Sequence, residues 1–223
     1  MLIMKKNYNI SKFVCLLVFV LTLNISITTS ARAQNYEDAL KGPWSSMFYF
    51  GGTSNEVFID AIIGKYSSFG ENIYAFELAY ILDRENLFRS IFSFFFDTVE
   101  IAGNVAFRHD FRRGDNVKEA NLYLIWRFAK FPWRDYLRTT IGFGDGISHA
   151  SHIPFADREA GETIENHSRT LNYLMLELTF ALPKYPNLEL LIRTHHRCTA
   201  WGTFAGNPNA GSTNVGFGLR YHF

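Results

Sequence analysis

The chain has 223 residues, of which 48% are hydrophobic and 17% aromatic, and its formal net charge is +1. A composition this apolar excludes a disordered chain, and so small a charge gives no electrostatic reason to expect a nucleic-acid partner. Two cysteines are too few for a disulfide scaffold. The length suits one domain.

The first 33 residues predict a cleavable secretory signal peptide. Three lysines come first, an apolar core follows over residues 13–23, and residues 31–33 (Ala-Arg-Ala) form a small-x-small cleavage signal. The apolar core is too short for a membrane anchor. Cleavage leaves a single domain over residues 34–223 with Cys198 as its one cysteine, so no internal disulfide is expected.

The rest of the chain is dominated by alternation of apolar and polar residues, which is typical of β-strands. At the end of the chain the alternation is clear: Thr213, Val215 and Phe217 begin an apolar face, and the residues between them are small or polar. About eight such runs are present, the smallest usual number for a transmembrane barrel. The predicted strands are 46–53, 71–83, 91–109, 117–128, 136–149, 168–182, 187–199 and 212–223.

Alternation alone does not separate a membrane barrel from an exported soluble barrel or sandwich, which also has one apolar face. Predicted export and strands long enough to cross a bilayer favour the membrane barrel. The ending, with Tyr221 and Phe223, resembles the C-terminal signal that outer-membrane barrels present to their assembly machinery. We therefore predict an all-β fold, an eight-stranded antiparallel transmembrane barrel in the bacterial outer membrane, with that machinery as a partner.

In such a barrel the other face of each strand fills the interior. Eight strands leave room for side chains but not for a wide channel, and unpaired buried charges are costly. We therefore expect the inward polar residues to pair into a packed plug rather than to form a pore or a catalytic acid–base pair. They are Glu77, Glu100, Arg108, Tyr123, Arg127, Arg138, Glu177, Arg193, His195, Arg197 and Arg220.

The seventh predicted strand carries an unusual pair on its outward face. His196 and Cys198 are two residues apart, so they lie on one face about 6.6 Å from each other. With both chain termini periplasmic, this strand ends at the external side, near the outer leaflet where lipopolysaccharide lies. The eighth strand starts beside it and presents Thr213 on the same outward face.

Four short motifs carry a family resemblance: Phe-Pro-Trp at 131–133, Leu-Asn-Tyr-Leu at 171–174, Phe-Ala-Leu-Pro at 180–183 and His-His-Arg-Cys at 195–198. The chain resembles the outer-membrane lipid A 3-O-deacylases, and it is most similar to a divergent subgroup of these barrels. The resemblance implies an eight-stranded barrel with a His-x-Ser near the end of the seventh strand and a Glu on the eighth, facing the lipid.

The match places His196 at the catalytic histidine, and His196, Cys198 and Thr213 are the candidate catalytic residues. Cys198 stands at the serine position, Thr199 at an asparagine position and Thr213 at the glutamate position. A thiol beside a histidine can act as a nucleophile, but only as the thiolate, and Thr213 cannot stabilise an imidazolium as a carboxylate does. Asp145 also faces outward, but it lies two strands away and is not expected to reach His196.

Three functions stay open. The first is acyl-ester hydrolysis of lipid A, with His196 as base and Cys198 or a water as nucleophile. The second is a barrel of the same fold without hydrolytic activity, structural or lipid-contacting, in which His196 and Cys198 are rim residues. The third is a small-solute pore or an adhesin. The expected partner is outer-membrane lipid, lipid A of lipopolysaccharide; no cofactor and no metal are predicted, since His149 and His152 lack a third ligand nearby.

Overall fold

The computed structural model describes residues 36–158, 167–200, 203–204 and 210–223. Within them, eight antiparallel strands follow one another around a closed barrel in which β1 pairs with β8. The strands are β1 (Trp44–Ser54), β2 (Ser68–Ile81), β3 (Thr98–Asp110), β4 (Asp115–Phe128), β5 (Arg138–Ala150), β6 (Thr170–Ala181), β7 (Leu188–Cys198) and β8 (Gly211–His222). The predicted fold class is confirmed. The predicted signal peptide, residues 1–33, lies outside the described residues.

The prediction of a strand over 91–109 is wrong at its beginning. Leu87–Phe92 form a short helix, and β3 begins only at Thr98. The aromatic run here has strand propensity, but Asn86 caps the helix: its Oδ1 accepts a hydrogen bond from the backbone N–H of Phe88 at 3.0 Å. A second short helix precedes β2. We name them α1 (Phe58–Ile62) and α2 (Leu87–Phe92).

The two faces of the strands differ in chemistry as the alternation predicts. Outward residues are large and apolar, for example Phe217, which is 62% exposed, whereas Arg220 on the inward face of the same strand is fully buried. A closed barrel with an apolar wall and a charged interior is the arrangement of a transmembrane barrel. In the described part of the chain, no helix is long and apolar enough to cross a membrane.

The interior is filled by ion pairs. Glu177 contacts Arg127 at 2.8 Å and Arg220 at 2.6 Å, and Glu119 contacts Arg108 at 2.8 Å and His195 at 2.9 Å. All the polar residues predicted to face inward are buried except Arg138, which is half-buried. The expected polar plug is therefore present, and its charges neutralise one another as their burial requires.

Both ends of the barrel are covered by short turns. At the end that carries the chain terminus, a 3-10 turn, Tyr36–Ala39, brings the hydroxyl of Tyr36 to within 2.5 Å of Glu189. At the opposite end, called the far end below, the turn Phe155–Asp157 inserts Asp157, which accepts a hydrogen bond from Ser212 at 2.5 Å. The loop between β1 and β2, the last residues of β7 and the first residues of β8 also lie at the far end.

Candidate functional site

The outer wall at the far end of β7 and β8 holds two of the three predicted site residues in contact. His196 lies directly opposite Thr213 in the strand register, and Nδ1 of His196 is 2.9 Å from Oγ1 of Thr213. Thr213 is only 3% exposed. The glutamate position of the resembled family is therefore occupied by a hydroxyl that can orient the imidazole but adds no negative charge.

Cys198 belongs to a different hydrogen-bonded group. Its Sγ donates to Oδ1 of Asn172 at 3.6 Å, and Nδ2 of Asn172 donates to Oδ1 of Asp145 at 2.8 Å. The cause is the register, since Cys198 pairs with Asn172 on β6. The candidate nucleophile and the candidate base thus have separate partners. None of the described carboxylates hydrogen-bonds to His196, and Asp145 bonds to Asn172 instead.

Asn172 was not singled out from the sequence, where it reads as a polar residue at the start of an apolar strand face. The signal that identifies it is inter-strand register: a residue on β6 opposite Cys198 necessarily contacts it. Strand alternation gives the face of a residue but not its neighbour on the next strand. The role of Asn172 as the partner of the thiol could therefore be found only with the barrel in hand.

Helix α1 covers the pair on the membrane-facing side. The ring of Phe58 stacks on the imidazole of His196, with centroids 4.6 Å apart and planes inclined by 28°. Phe58 was also missed from the sequence, because α1 is short and lies within a loop. Its ring packs against His196 from outside the barrel, so His196 is not fully open to lipid.

A cleft of about 390 Å³ lies beside this pair, between the loop that carries α1 and the outer faces of β1 and β8. Phe50, Val215 and Phe217 form its apolar wall, and Tyr66 and Lys65 come from the loop. Val215 is two residues along β8 from Thr213, so the cleft and the His196 pair share one face. The cleft is suited in polarity to an acyl chain.

The described residues contain no group of three or more His, Cys, Asp or Glu side chains that could hold a metal ion. The candidate residues of the wall supply an imidazole, a hydroxyl and a thiol, and the carboxylate of Asp145 reaches the thiol only through Asn172. A histidine base and a separate nucleophilic residue can support acyl transfer together. Their side chains must be hydrogen-bonded to each other, and a third group must orient the histidine. Here the orienting contact is present, and the hydrogen bond from thiol to base is absent.

Fold and wall together define an eight-stranded β-barrel of the bacterial outer membrane. No protein-family model and no curated protein matches the chain. Among solved structures, the chain is similar to the outer membrane enzyme PagL, with a TM-score of 0.52 and 13% identity over 81% of this chain and 99% of that one. At this identity the likeness shows the barrel fold, and the predicted membership of a deacylase subgroup stays a prediction.

Two further solved barrels are similar at lower TM-scores. Neisserial surface protein A gives 0.47 with 11% identity, over 81% of this chain and 96% of that one. The N-terminal β-barrel domain of Pseudomonas aeruginosa OprF gives 0.43 with 13% identity, over 82% of this chain and 98% of that one. The chemistry of this chain is therefore argued from its own residues.

Proposed function

We propose that this protein is an outer-membrane barrel that contacts lipid A at the wall beside His196 without hydrolysing it. The observation that carries the proposal is the separation of the candidate catalytic groups: the thiol of Cys198 bonds to Asn172 and the imidazole of His196 bonds to Thr213. In a hydrolytic triad the nucleophile is hydrogen-bonded to one nitrogen of the histidine base, and a carboxylate is hydrogen-bonded to the other nitrogen. Neither contact is made among these residues.

The lipid contact is supported by the cleft next to the pair. Its wall is apolar and faces outward, where the membrane lies, and its loop side carries Lys65. With the chain termini in the periplasm, the far end of the barrel lies in the outer leaflet. The acyl part of lipid A would then enter along β8, and its polar part would meet the loop.

A second candidate, acyl-ester hydrolysis, is favoured by one observation. His196 already has the orienting hydrogen bond at Nδ1, and Cys198 lies two residues along the same face. A thiol that exchanged its contact with Asn172 for one with His196 could lose its proton to the imidazole and attack the ester carbonyl. The ester C–O bond would then break, the imidazolium would return the proton to the departing alcohol, and water would hydrolyse the resulting thioester to a free fatty acid and the thiol. The exchange requires the Asn172 contact to break.

The two candidates are separated by mass spectrometry of lipid A from cells expressing the wild-type protein, the His196→Ala variant or the Cys198→Ser variant. The proposal predicts identical lipid A in all three strains, with each barrel folded in the outer membrane. Loss of one acyl chain that depends on His196 would overturn the proposal and establish hydrolysis. Retention of that loss in Cys198→Ser would then assign the nucleophile to water or to the new hydroxyl.

The lipid contact has its own test. Val215→Trp fills the cleft, whereas Leu219→Trp changes the same strand and the same face four residues closer to the chain terminus. We expect less lipid A to remain bound to Val215→Trp than to Leu219→Trp after extraction in a mild detergent, as counted by native mass spectrometry. Equal retention by both variants would contradict lipid contact at this cleft.

A further inference from the structure

A larger groove lies on the outer wall across β1 to β5. Its volume is about 650 Å³, and its apolar walls include Phe76, Val105 and Phe107. Ala120 on β4 forms its floor, because it stands between Val105 on β3 and His149 on β5 with only a methyl side chain. The groove therefore runs along the outer wall, and its apolar lining suits an acyl chain.

The far end of this groove carries positive charge. Lys118 and His149 line it, and a guanidinium N–H of Arg169 donates to Nε2 of His149 at 3.0 Å. Because an arginine can only donate, this nitrogen of His149 accepts, and the imidazole orients the guanidinium. Nδ1 of His149 is in turn 2.8 Å from the hydroxyl of Thr170, which fixes the ring.

Among the residues that the structure describes, no acidic side chain neutralises this end. Glu119 points into the barrel, where it pairs with Arg108 at 2.8 Å, and Asp115 pairs with His152 at 2.9 Å. Among the described residues, none forms an ion pair or hydrogen bond with Nζ of Lys118. The exposed side chains of Lys118, which lines the groove, and of Arg169, which contacts the groove residue His149, therefore lie at this end with no counter-charge from the described residues.

We infer that this groove binds a lipid that carries a phosphate group, with the phosphate at Lys118 and Arg169 and an acyl chain over Ala120. Charge complementarity favours this occupant. An apolar chain alone would make no electrostatic interaction with the two cations, and a free phosphate would not contact the apolar lining of the groove. The site is separate from the cleft beside His196, so it stands whether or not that wall contacts lipid.

Titration of the purified barrel in a phosphate-free glycoside detergent tests the inference. The probe is lipid A with its phosphates, compared with the same lipid A after chemical dephosphorylation, and bound lipid is counted by native mass spectrometry. A cation near a membrane surface contributes about 1 kcal/mol, so Lys118→Gln and Arg169→Gln should each weaken binding of the phosphorylated lipid about fivefold. Neither variant should change binding of the dephosphorylated lipid.

Matched variants control for position. Two control variants, Lys130→Gln at the other end of the barrel and Leu122→Trp at the neighbouring outward position of β4, should bind the phosphorylated lipid as the wild type does. Ala120→Trp, which fills the floor of the groove, should bind less of it. Val215→Trp, which fills the other cleft, should leave this site intact. Equal affinity for the two forms of lipid A would overturn the inference. Displacement by equimolar inorganic phosphate would overturn it too, since the site would then hold a free anion.

Discussion

The imidazole of His196 is covered by the ring of Phe58, whose centroid lies 4.6 Å from its own. This stacking joins β7 to helix α1, which otherwise stands at the membrane-facing surface: Ile59 and Ile63 of this region are 39% and 63% exposed. The contact thus makes the β1–β2 loop part of the site. It also explains how a short helix with little buried surface holds its position on the wall.

Removal of the stacking ring should loosen the β1–β2 loop. An aromatic pair contributes about 1 kcal/mol beyond its buried area, so Phe58→Ala should open the loop about fivefold more often. Limited proteolysis with trypsin reports this, because Lys65 lies in the loop and its side chain is 60% exposed. Ile63→Ala is the control. Equal cleavage of the two variants at Lys65 would show that Phe58 does not hold α1.

Removal of one counter-charge from the barrel interior should destabilise the fold strongly. Glu177 is 1% exposed and contacts Arg127, Arg193 and Arg220 at 2.8, 2.7 and 2.6 Å. Glu177→Gln leaves these cations without one of their counter-charges, and we expect the free energy of unfolding to fall by about 3–5 kcal/mol.

Urea unfolding of the refolded protein in detergent measures this fall. The lipid-facing neighbour Leu178→Met conserves volume and should change stability by less than about 1.5 kcal/mol. If Glu177→Gln and Leu178→Met unfold at the same urea concentration, the interior tolerates loss of this counter-charge and the expectation is wrong.

The sequence alone predicts the side of the wall on which each strand residue lies. The alternation assigns Phe217 to the outside and Arg220 to the inside, and the burial of the two residues agrees. This follows because a side-chain period of two is a local property of an extended chain. The charge pairs are predictable as a group for a related reason, since a narrow barrel leaves inward charges nothing else to contact.

Contacts between strands are less accessible to prediction. His196 could be paired with Thr213 from the sequence, because both lie near the ends of strands joined by one loop. The partner of Cys198 depends on the register of β6 against β7, and a shift of two residues would place Leu174 or Thr170 there instead of Asn172. The third strand was predicted to begin too early, at residue 91, because the aromatic residues from there to 96 favour strands. Residues 91 and 92 instead complete helix α2, which Asn86 caps, and β3 begins only at Thr98.

The turn before β1 should detach in acid. Burial alone would raise the pKa of the Glu37 carboxyl, but hydrogen bonds from Arg89 and Arg84 outweigh it and hold the pKa below the ordinary value of 4.5. Arg89 lies on α2 and donates to Glu37 at 2.9 Å. Because the pKa is lower in the folded state, this contact stabilises the fold above about pH 4.5 and is lost as the pH falls through the folded value.

Hydrogen exchange of the segment around Tyr36–Ala39 at pH 7 and at about pH 3 measures the effect, after correction for the intrinsic exchange rate. We expect protection at neutral pH and its loss in acid. In Glu37→Gln the segment should be less protected at pH 7 and should change less with pH. A wild-type segment equally protected at both values would mean that the carboxylate does not hold the turn.

The thiol of Cys198 should report the lipid-facing side of β7 directly. Cys198 is the free cysteine of the described residues, is half-buried, and pairs with the outward-facing Asn172 on β6. In isolated outer membranes an apolar maleimide should therefore label it several times faster than a charged, impermeant one. The comparison variant is Arg112→Cys in a Cys198→Ser background, because position 112 lies in the exposed far-end turn. The thiol introduced there should react with both reagents. Equal labelling of Cys198 by the two reagents would place the thiol in water and would contradict the register of β7.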